Sequence, residues 1–205
     1  MNNIIIRQET AADFRTVEEV VRDSFWNVYR PGCVEHFVLH CFRGNADFIP
    51  ELDLILETDG RIIGQIMYAR AAIVTESGEK LPVATFGPVS VLPDYRRQGL
   101  GERLISHSLG MASEMGFSAV MITGDLNYYK RFGFVCGKDL GITITYADDP
   151  NAEYFLALEL RPDALSDVRG TYRDPDGYFS DEAALEEFDK TFSPREKLRL
   201  PGQLG

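Results

Sequence analysis

Three arginines and two glycines crowd the stretch "PDYRRQGLGERL", Pro93 to Leu104, where a strand-like run meets an amphipathic one. Glycine in the first turns of a helix costs about 1 kcal/mol relative to alanine, so this junction needs bare backbone for another reason. The first N–H groups of a helix have no intrahelical acceptor, and the helix dipole adds positive potential there. With Gly99 and Gly101 taking Cβ atoms out of the way, those amides make a seat for a phosphate or pyrophosphate. Arg96 and Arg97 at the rim add charge-assisted contacts. The chemistry on offer is recognition of a phosphorylated ligand.

Two familiar phosphate loops fail on specifics. A Walker loop needs G-x-x-x-x-G-K-[ST], and neither the spacing nor the lysine is present. A dinucleotide fingerprint needs a third glycine where Leu104 stands, and a βαβ unit that the preceding sequence lacks. What remains is Arg96-x-x-Gly99-x-Gly101 in the setting "VSVLPDYRRQGLGERL".

The elements that must position this junction follow from periodicity. "NIIIRQE" alternates as a first strand, and "TAADFRTVEEVVRDSF" carries Phe14, Val17, Val20, Val21 and Phe25 at helical spacing, with Thr10 or Asp13 as its cap. "VEHFVLHCF" predicts a second short helix after the break "RPG". "LDLILET", the turn "DG" and "RIIGQIMYARAAIV" predict a hairpin, followed by the strand "LPVATFGPVSVL". Leu100, Leu104, Ile105, Leu109, Met111, Ala112 and Met115 mark a helix of about four turns. "GFSAVMIT" is a buried strand, "LNYYKRF" a short helix capped by Asp125, and "GITITY" and "EYFLALEL" complete the sheet. This order is a mixed α/β sheet, not a βαβ alternation. From about Arg161 the chain becomes turn-rich, then offers one acidic helix, "EAALEEFDKTF", and a polar tail. The expected organisation is a domain over 1–160 and an extension over 161–205, with structural packing the favoured role for the acidic helix.

Composition bounds the function. The 205 residues, 44% apolar and 26% charged, suit a soluble globular domain with a real core. No apolar run is long enough for a membrane span, and the N-terminus lacks the basic flank and cleavage site of a signal peptide. Cys33, Cys41 and Cys136 are an odd number, widely spaced, which points to free thiols in the cytoplasm. A formal charge of −11 makes nucleic acid a poor partner, and it either favours a cationic or amine substrate through steering or only confers solubility.

With these residues in view, the sequence resembles the GNAT superfamily of acyl-CoA-dependent N-acyltransferases. The family's pyrophosphate motif [RQ]-x-x-G-x-[GA] follows a V-x-V-x-P strand end, as in Val89-Ser90-Val91-Leu92-Pro93 ahead of Arg96. A second element, Y-x-x-x-G-F, matches from Tyr129 to Phe134 in "NYYKRFGF". The order of elements agrees from about residue 3 to 160. The resemblance implies a mixed, mostly antiparallel sheet flanked by helices, with acetyl-CoA as cosubstrate and no metal. It implies that Val89, Ser90 and Val91 hold the pantetheine arm and polarise the thioester carbonyl through strand-edge backbone groups. Arg97, Gln98, Gly99, Leu100, Gly101 and Glu102 would wrap the pyrophosphate, chiefly through main-chain N–H groups. Tyr129 would protonate the departing thiolate, a role a phenol with a pKa near 10 can fill. Asn127 either touches the pantetheine or only starts the helix.

No glutamate stands on the strand before Tyr129, and Asp125 is explained by its cap, so no general base is assigned. The function expected is acetyl transfer from acetyl-CoA to a primary amine by direct attack in a ternary complex. The alternative is a non-catalytic acyl-CoA-binding module of the same fold. A homodimer is open, and the acceptor is not named by the sequence. "CVEHFVLHC" brings His36 and His40 to i,i+4 spacing but with Cys33 ahead of the helix and Cys41 on another face, so it reads as a partly core-facing helix, with His36 alternatively meeting substrate. "DPDG" fails as a calcium loop because Leu185 stands where its twelfth-position glutamate is needed.

Overall fold

A computed structural model describes residues 4–147 and 152–203. Asn3, where the first strand was expected to begin, lies outside them. The chain divides into two compact units, one within Met1–Met67, Pro88–Ile105 and Asp176–Gly205, the other within Tyr68–Gly87 and Ser106–Pro175.

In the first unit, β1 (Ile4–Gln8) pairs antiparallel with β2 (Leu54–Thr58), and β2 with the start of β3 (Arg61–Thr75) through a bulge at Leu56/Glu57. The end of β4 (Lys80–Val91) follows β3 in the sheet. Helix α1 (Phe14–Phe25) forms because its apolar residues recur three and four apart, and Val17 and Val21 are fully buried. Helix α2 (Glu35–Phe42) buries Phe37, Leu39 and Phe42. The expected cap of α1 differs. Asp13 occupies the cap position, but its carboxylate accepts from the Thr10 amide (2.9 Å) and hydroxyl (2.7 Å) and pairs with Arg7 at 2.7 Å. Arg7, which also reaches Glu57 at 3.0 Å, holds the Asp13 carboxyl well below the usual range. The acid therefore staples β1 to the helix start, leaving no side-chain cap hydrogen bond on α1.

The second unit holds the remainder of β3 and β4, most of α3 (Leu100–Glu114), β5 (Ala119–Thr123), α4 (Leu126–Tyr129), β6 (Val135–Cys136), β7 (Ile142–Ile144), β8 (Phe155–Glu159) and β9 (Gly170–Tyr172). β4 pairs parallel with β5, β5 antiparallel with β8, and β8 antiparallel with β6. The sheet is mixed and mostly antiparallel, as the sequence led us to expect. β9 was not expected, because "RGTYR" is too short to show alternation and sits in a turn-rich stretch. It pairs antiparallel with β3 and parallel with β7. Its Gly170 allows this, since a Cβ there would stand 2.2 Å from the Val74 carbonyl oxygen. The core of this unit is built on Ile73, Val83, Met121, Ile144, Phe155 and Tyr172. Among the described residues no helix is long and apolar enough to cross a membrane.

Residues from Asp176 on pack within the first unit. Helix α5 (Glu182–Asp189) is capped by Asp181, which accepts from the Ala184 amide at 2.7 Å. It brings Phe188 and then Phe192 against His36, at ring distances of 5.4 and 5.2 Å. Asp189 meets Arg22 at 2.9 Å, and the Arg15 and Arg22 guanidiniums lie over the Phe192 ring. The tail is stitched to Asn27, whose side chain donates to the Glu196 carbonyl and accepts from the Leu198 amide, both at 3.0 Å. His36 is thus fully buried beneath α5, not turned to solvent as a substrate contact would need.

That burial has a pH consequence. Desolvation pushes the His36 imidazole down to about 4, with Arg22 and Arg15 acting the same way and Asp189 opposing. The unfolded chain binds a proton near pH 6.5 that the folded chain refuses until about pH 4. This contribution is whole above pH 6.5 and is lost as pH falls toward 4, up to about 3 kcal/mol. Denaturant titrations of a His36→Leu variant should show a shallower loss of stability across that window than the wild type.

Candidate functional site

The phosphate-type junction lies in the first unit. β4 ends at Val91, the Leu92 amide donates to the Ile63 carbonyl at 2.8 Å, and a 3-10 turn over Pro93–Tyr95 leads into the loop Arg96–Gly99. Arg96, Arg97, Gln98 and Gly99 are exposed, while Leu100 is buried and anchors the first turn of α3. Gly99 has φ +75°, with no heavy atom within 4 Å of where its Cβ would be. Arg97 has φ +60°, a left-handed conformation costing a non-glycine residue about 1–2 kcal/mol. Two left-handed residues in three turn the chain sharply into α3 and leave its amino end open to solvent.

The two arginines divide their labour. Both were expected at the rim of a phosphate seat, and the exposed Arg96 guanidinium is held to main-chain carbonyls. Its Nε donates to the Val91 carbonyl at 3.0 Å and its Nη2 to the Ser24 carbonyl at 2.6 Å, tying the junction to the end of α1. Gln98 donates to the Asp94 carbonyl at 3.3 Å, and Glu102 lies exposed in the first turn of α3. Val89 and Val91 are half-buried. Ser90 is buried, and its Oγ has no hydrogen-bond partner among the described residues.

Tyr129 belongs to the second unit. The Asp125 carboxylate accepts from the Asn127 amide at 2.9 Å, so the expected cap is present, and Asn127 itself is exposed. Gly133, at φ +93°, ends the following turn. The half-buried Tyr129 ring packs against Tyr128 at 5.0 Å, Phe134 at 5.7 Å and Phe86 at 6.0 Å. Gly124 lies under it, where a Cβ would come within 2.5 Å of the ring. Tyr68 is fully buried, bonds Ser108 Oγ at 2.9 Å, and has its hydroxyl pushed up by burial. Tyr129 is the more accessible of these two phenols.

Sequence reasoning missed a buried polar cluster in the first unit. Arg43, at the end of α2, grips Glu9 with contacts of 2.7 and 3.1 Å and Glu18 at 2.6 Å. Glu9 stands beside Asp53, to which Gln65 Nε2 donates at 3.3 Å. Burial and the neighbouring Asp53 push the Glu9 carboxyl up to about 9, against the pull of Arg43. Burial raises Asp53 as well. The one sequence signal was Gln65 itself, a polar residue inside the apolar run "RIIGQIMYA". Among the described residues no group of three His, Cys, Asp or Glu side chains is placed to hold a metal.

A mixed, mostly antiparallel sheet with a strand that runs out into a glycine-rich helix entry is the architecture of the GNAT acyltransferase fold. The family model described as acetyltransferase (GNAT) domain matches residues 6–137, and the chain belongs to that family. It is 29% identical over 168 residues to the uncharacterized N-acetyltransferase YhbS of Escherichia coli, covering 82% of this chain and 93% of that one. It is 33% identical over 98 residues to the uncharacterized N-acetyltransferase YjhQ of E. coli K12, covering 47% of this chain and 54% of that protein's length. The crystal structure of E. coli YhbS in complex with CoA aligns over 88% of this chain and 94% of its own, with TM-score 0.76 and 25% identity. A GNAT family acetyltransferase from Brucella melitensis in complex with acetyl-CoA aligns over 87% and 99%, with TM-score 0.70 and 25% identity.

The seat of Tyr129 can be tested directly. A Gly124→Ala variant must displace a ring that four other aromatics hold, Phe132 included, an overpacking that costs about 1–3 kcal/mol. Chemical unfolding should show that loss, and the ring resonances of Tyr129 should shift.

Proposed function

We propose that the chain is an N-acetyltransferase that moves an acetyl group from acetyl-CoA to a primary amine by direct attack in a ternary complex. The observation that carries this reading is the exposed, sharply turned entry to α3. Its amides from Arg97 to Glu102 can cradle the pyrophosphate while the exposed Arg97 side chain adds charge. Both solved relatives with close folds are complexes with CoA or acetyl-CoA, which supports the same ligand here. Arg96 enters differently from the sequence expectation: it positions the cradle through Val91 and Ser24.

Val89, Ser90 and Val91 present main-chain groups to the pantetheine arm and thioester. The β4–β5 register includes Ala84↔Val120 and Thr85↔Met121, and β4 runs on from there to Val91. Donors fixed before the reaction polarise a carbonyl without reorganisation at the moment of attack. Tyr129, held by its aromatic neighbours, supplies the proton for the departing thiolate. Asn127 serves chiefly as the residue whose amide closes the Asp125 cap. The net charge of −11 draws a cationic amine toward the protein.

Isothermal titration with acetyl-CoA tests the cradle. Arg97→Ala should weaken binding about tenfold, the worth of one charge-assisted contact. Thiol release measured with spermidine, glucosamine, an unblocked peptide and an Nα-blocked lysine tests the chemistry. Tyr129→Phe should lower kcat about 100-fold while leaving acetyl-CoA affinity unchanged. Saturable binding without transfer to any of these amines would favour an acyl-CoA-binding module instead.

A further inference from the structure

Four polar side chains share one face of the first unit's sheet. Gln8 pairs with Leu54, so the next residue, Glu9, stands opposite Asp53, and its amide donates to the Asp53 carbonyl at 2.9 Å. Ile55 pairs with Gln65, placing Asp53, two residues earlier, on the same face as Gln65. The Leu92 amide bond to the Ile63 carbonyl sets β4 against β3 with Gln65 opposite Ser90. Gly64 allows the close approach, since its Cβ would fall 2.7 Å from the Ser90 carbonyl oxygen. Glu9, Asp53, Gln65 and Ser90 therefore form a row along the strand order β1-β2-β3-β4, each at least nine-tenths buried.

The row is anchored at one end and carries unpartnered oxygens at the other. Arg43 brackets Glu9 and reaches Glu18, which His40 meets at 2.9 Å and Arg15 at 4.0 Å. Gln65 Nε2 is committed to Asp53, which leaves its Oε1 facing elsewhere. Gln65 Oε1 and Ser90 Oγ have no hydrogen-bond partner among the described residues. Buried acceptors of this kind cost about 1–3 kcal/mol each unless something donates to them. Valine or isoleucine would fill both positions at no such cost. Three carboxylates, Glu9, Asp53 and Glu18, crowd around Arg43, burial and the neighbouring Asp53 push the Glu9 carboxyl up, and one proton shared between Glu9 and Asp53 would relieve the repulsion and leave that pair one negative charge. Such a pair can accept a second proton.

We propose that Ser90 Oγ and Gln65 Oε1 bind the water through which the attacking amine passes its proton to the Glu9–Asp53 pair, making that pair the base of the reaction. This rests on the reading of the chain as an N-acetyltransferase with Ser90 at the thioester. The bound water takes one proton from the ammonium nitrogen as it gives one to the Asp53 carboxylate, so the pair goes from one proton to two. The freed lone pair forms the C–N bond, the C–S bond breaks, and the thiolate takes its proton from Tyr129. Tyr129 recovers a proton from the new amide nitrogen through solvent, and the pair releases its extra proton to solvent before the next turnover. Glu9 and Arg43 are positioning residues, since they set the charge and orientation of Asp53.

The test uses the whole protein with acetyl-CoA and whichever of the four amines above gives fastest thiol release. Ser90→Ala is the discriminating variant, because an unpartnered hydroxyl contributes no structural bond and its loss leaves the melting temperature unchanged or raised. Ser90→Ala and Gln65→Met should each lower kcat about tenfold, and Asp53→Asn about 100-fold or more, with acetyl-CoA affinity unchanged by calorimetry. The kcat of Asp53→Asn should climb with pH where the wild type levels off. Difference infrared spectra of the wild type should show a protonated carboxyl at neutral pH that Glu9→Gln removes. Folded Ser90→Ala and Gln65→Met variants with wild-type kcat and pH profile would overturn the relay, even if Asp53→Asn fails to fold. Absence of the protonated carboxyl would overturn the shared proton. A wild type that transfers to none of the amines sinks the acetyltransferase reading itself, whereas normal transfer with insensitive variants sinks the relay alone.

Discussion

The hydrogen bonds from the Arg96 guanidinium to the carbonyls of Val91 and Ser24 are the constraint on which the proposed ligand site depends. A loop that carries left-handed backbone at the non-glycine Arg97 stores strain, and strain persists only where the surroundings over-determine the conformation. Arg96 provides that by joining the strand end, the loop and the end of α1 through one rigid fork of donors. The expense is that this guanidinium spends its donors on main-chain carbonyls. What the loop then presents to solvent is main-chain N–H groups, the Arg97 side chain and the dipole of α3, all of which favour an anion.

The segment from Asp176 onward acts on the same helices from outside the sheet. Phe188 and Phe192 cover His36, Asp189 pairs with Arg22, and Asn27 holds the tail by both of its side-chain polar atoms. These contacts bury a histidine, a cysteine and an ion pair together. Cys33 lies 3.3 Å from the His36 ring, but burial pushes its thiol up, the opposite of what a nucleophile needs. Cys33, His36 and Asp189 therefore have the order of a catalytic triad and the environment of a core. The chemistry of a side chain is decided by its solvation as much as by its neighbours.

Much of the architecture was legible from local patterns. Apolar spacing announced α1 and α3, the "RPG" break set off α2, the "DG" turn announced the β2–β3 hairpin, and Asp125 was readable as a cap because a cap needs only its own next residues. Asp13 looked equally like a cap and is not one, because Arg7 from the preceding strand competes for its carboxylate and wins with two close contacts. β9 was illegible because a three-residue strand has no period of its own and exists by virtue of partners nearly a hundred residues earlier.

By itself the sequence determined the family and the local form of the α3 entry, because Arg96, Arg97, Gly99 and Gly101 are close neighbours in the chain and a turn into a helix start depends only on such neighbours. Only the tertiary structure decided which polar side chains are tied to distant parts of the fold. Arg96 and Ser24 are 72 residues apart, and Gln65 meets Asp53 and lies opposite Ser90 through strand register alone. A buried polar group is identified by what surrounds it, and for these residues the surroundings come from distant parts of the chain.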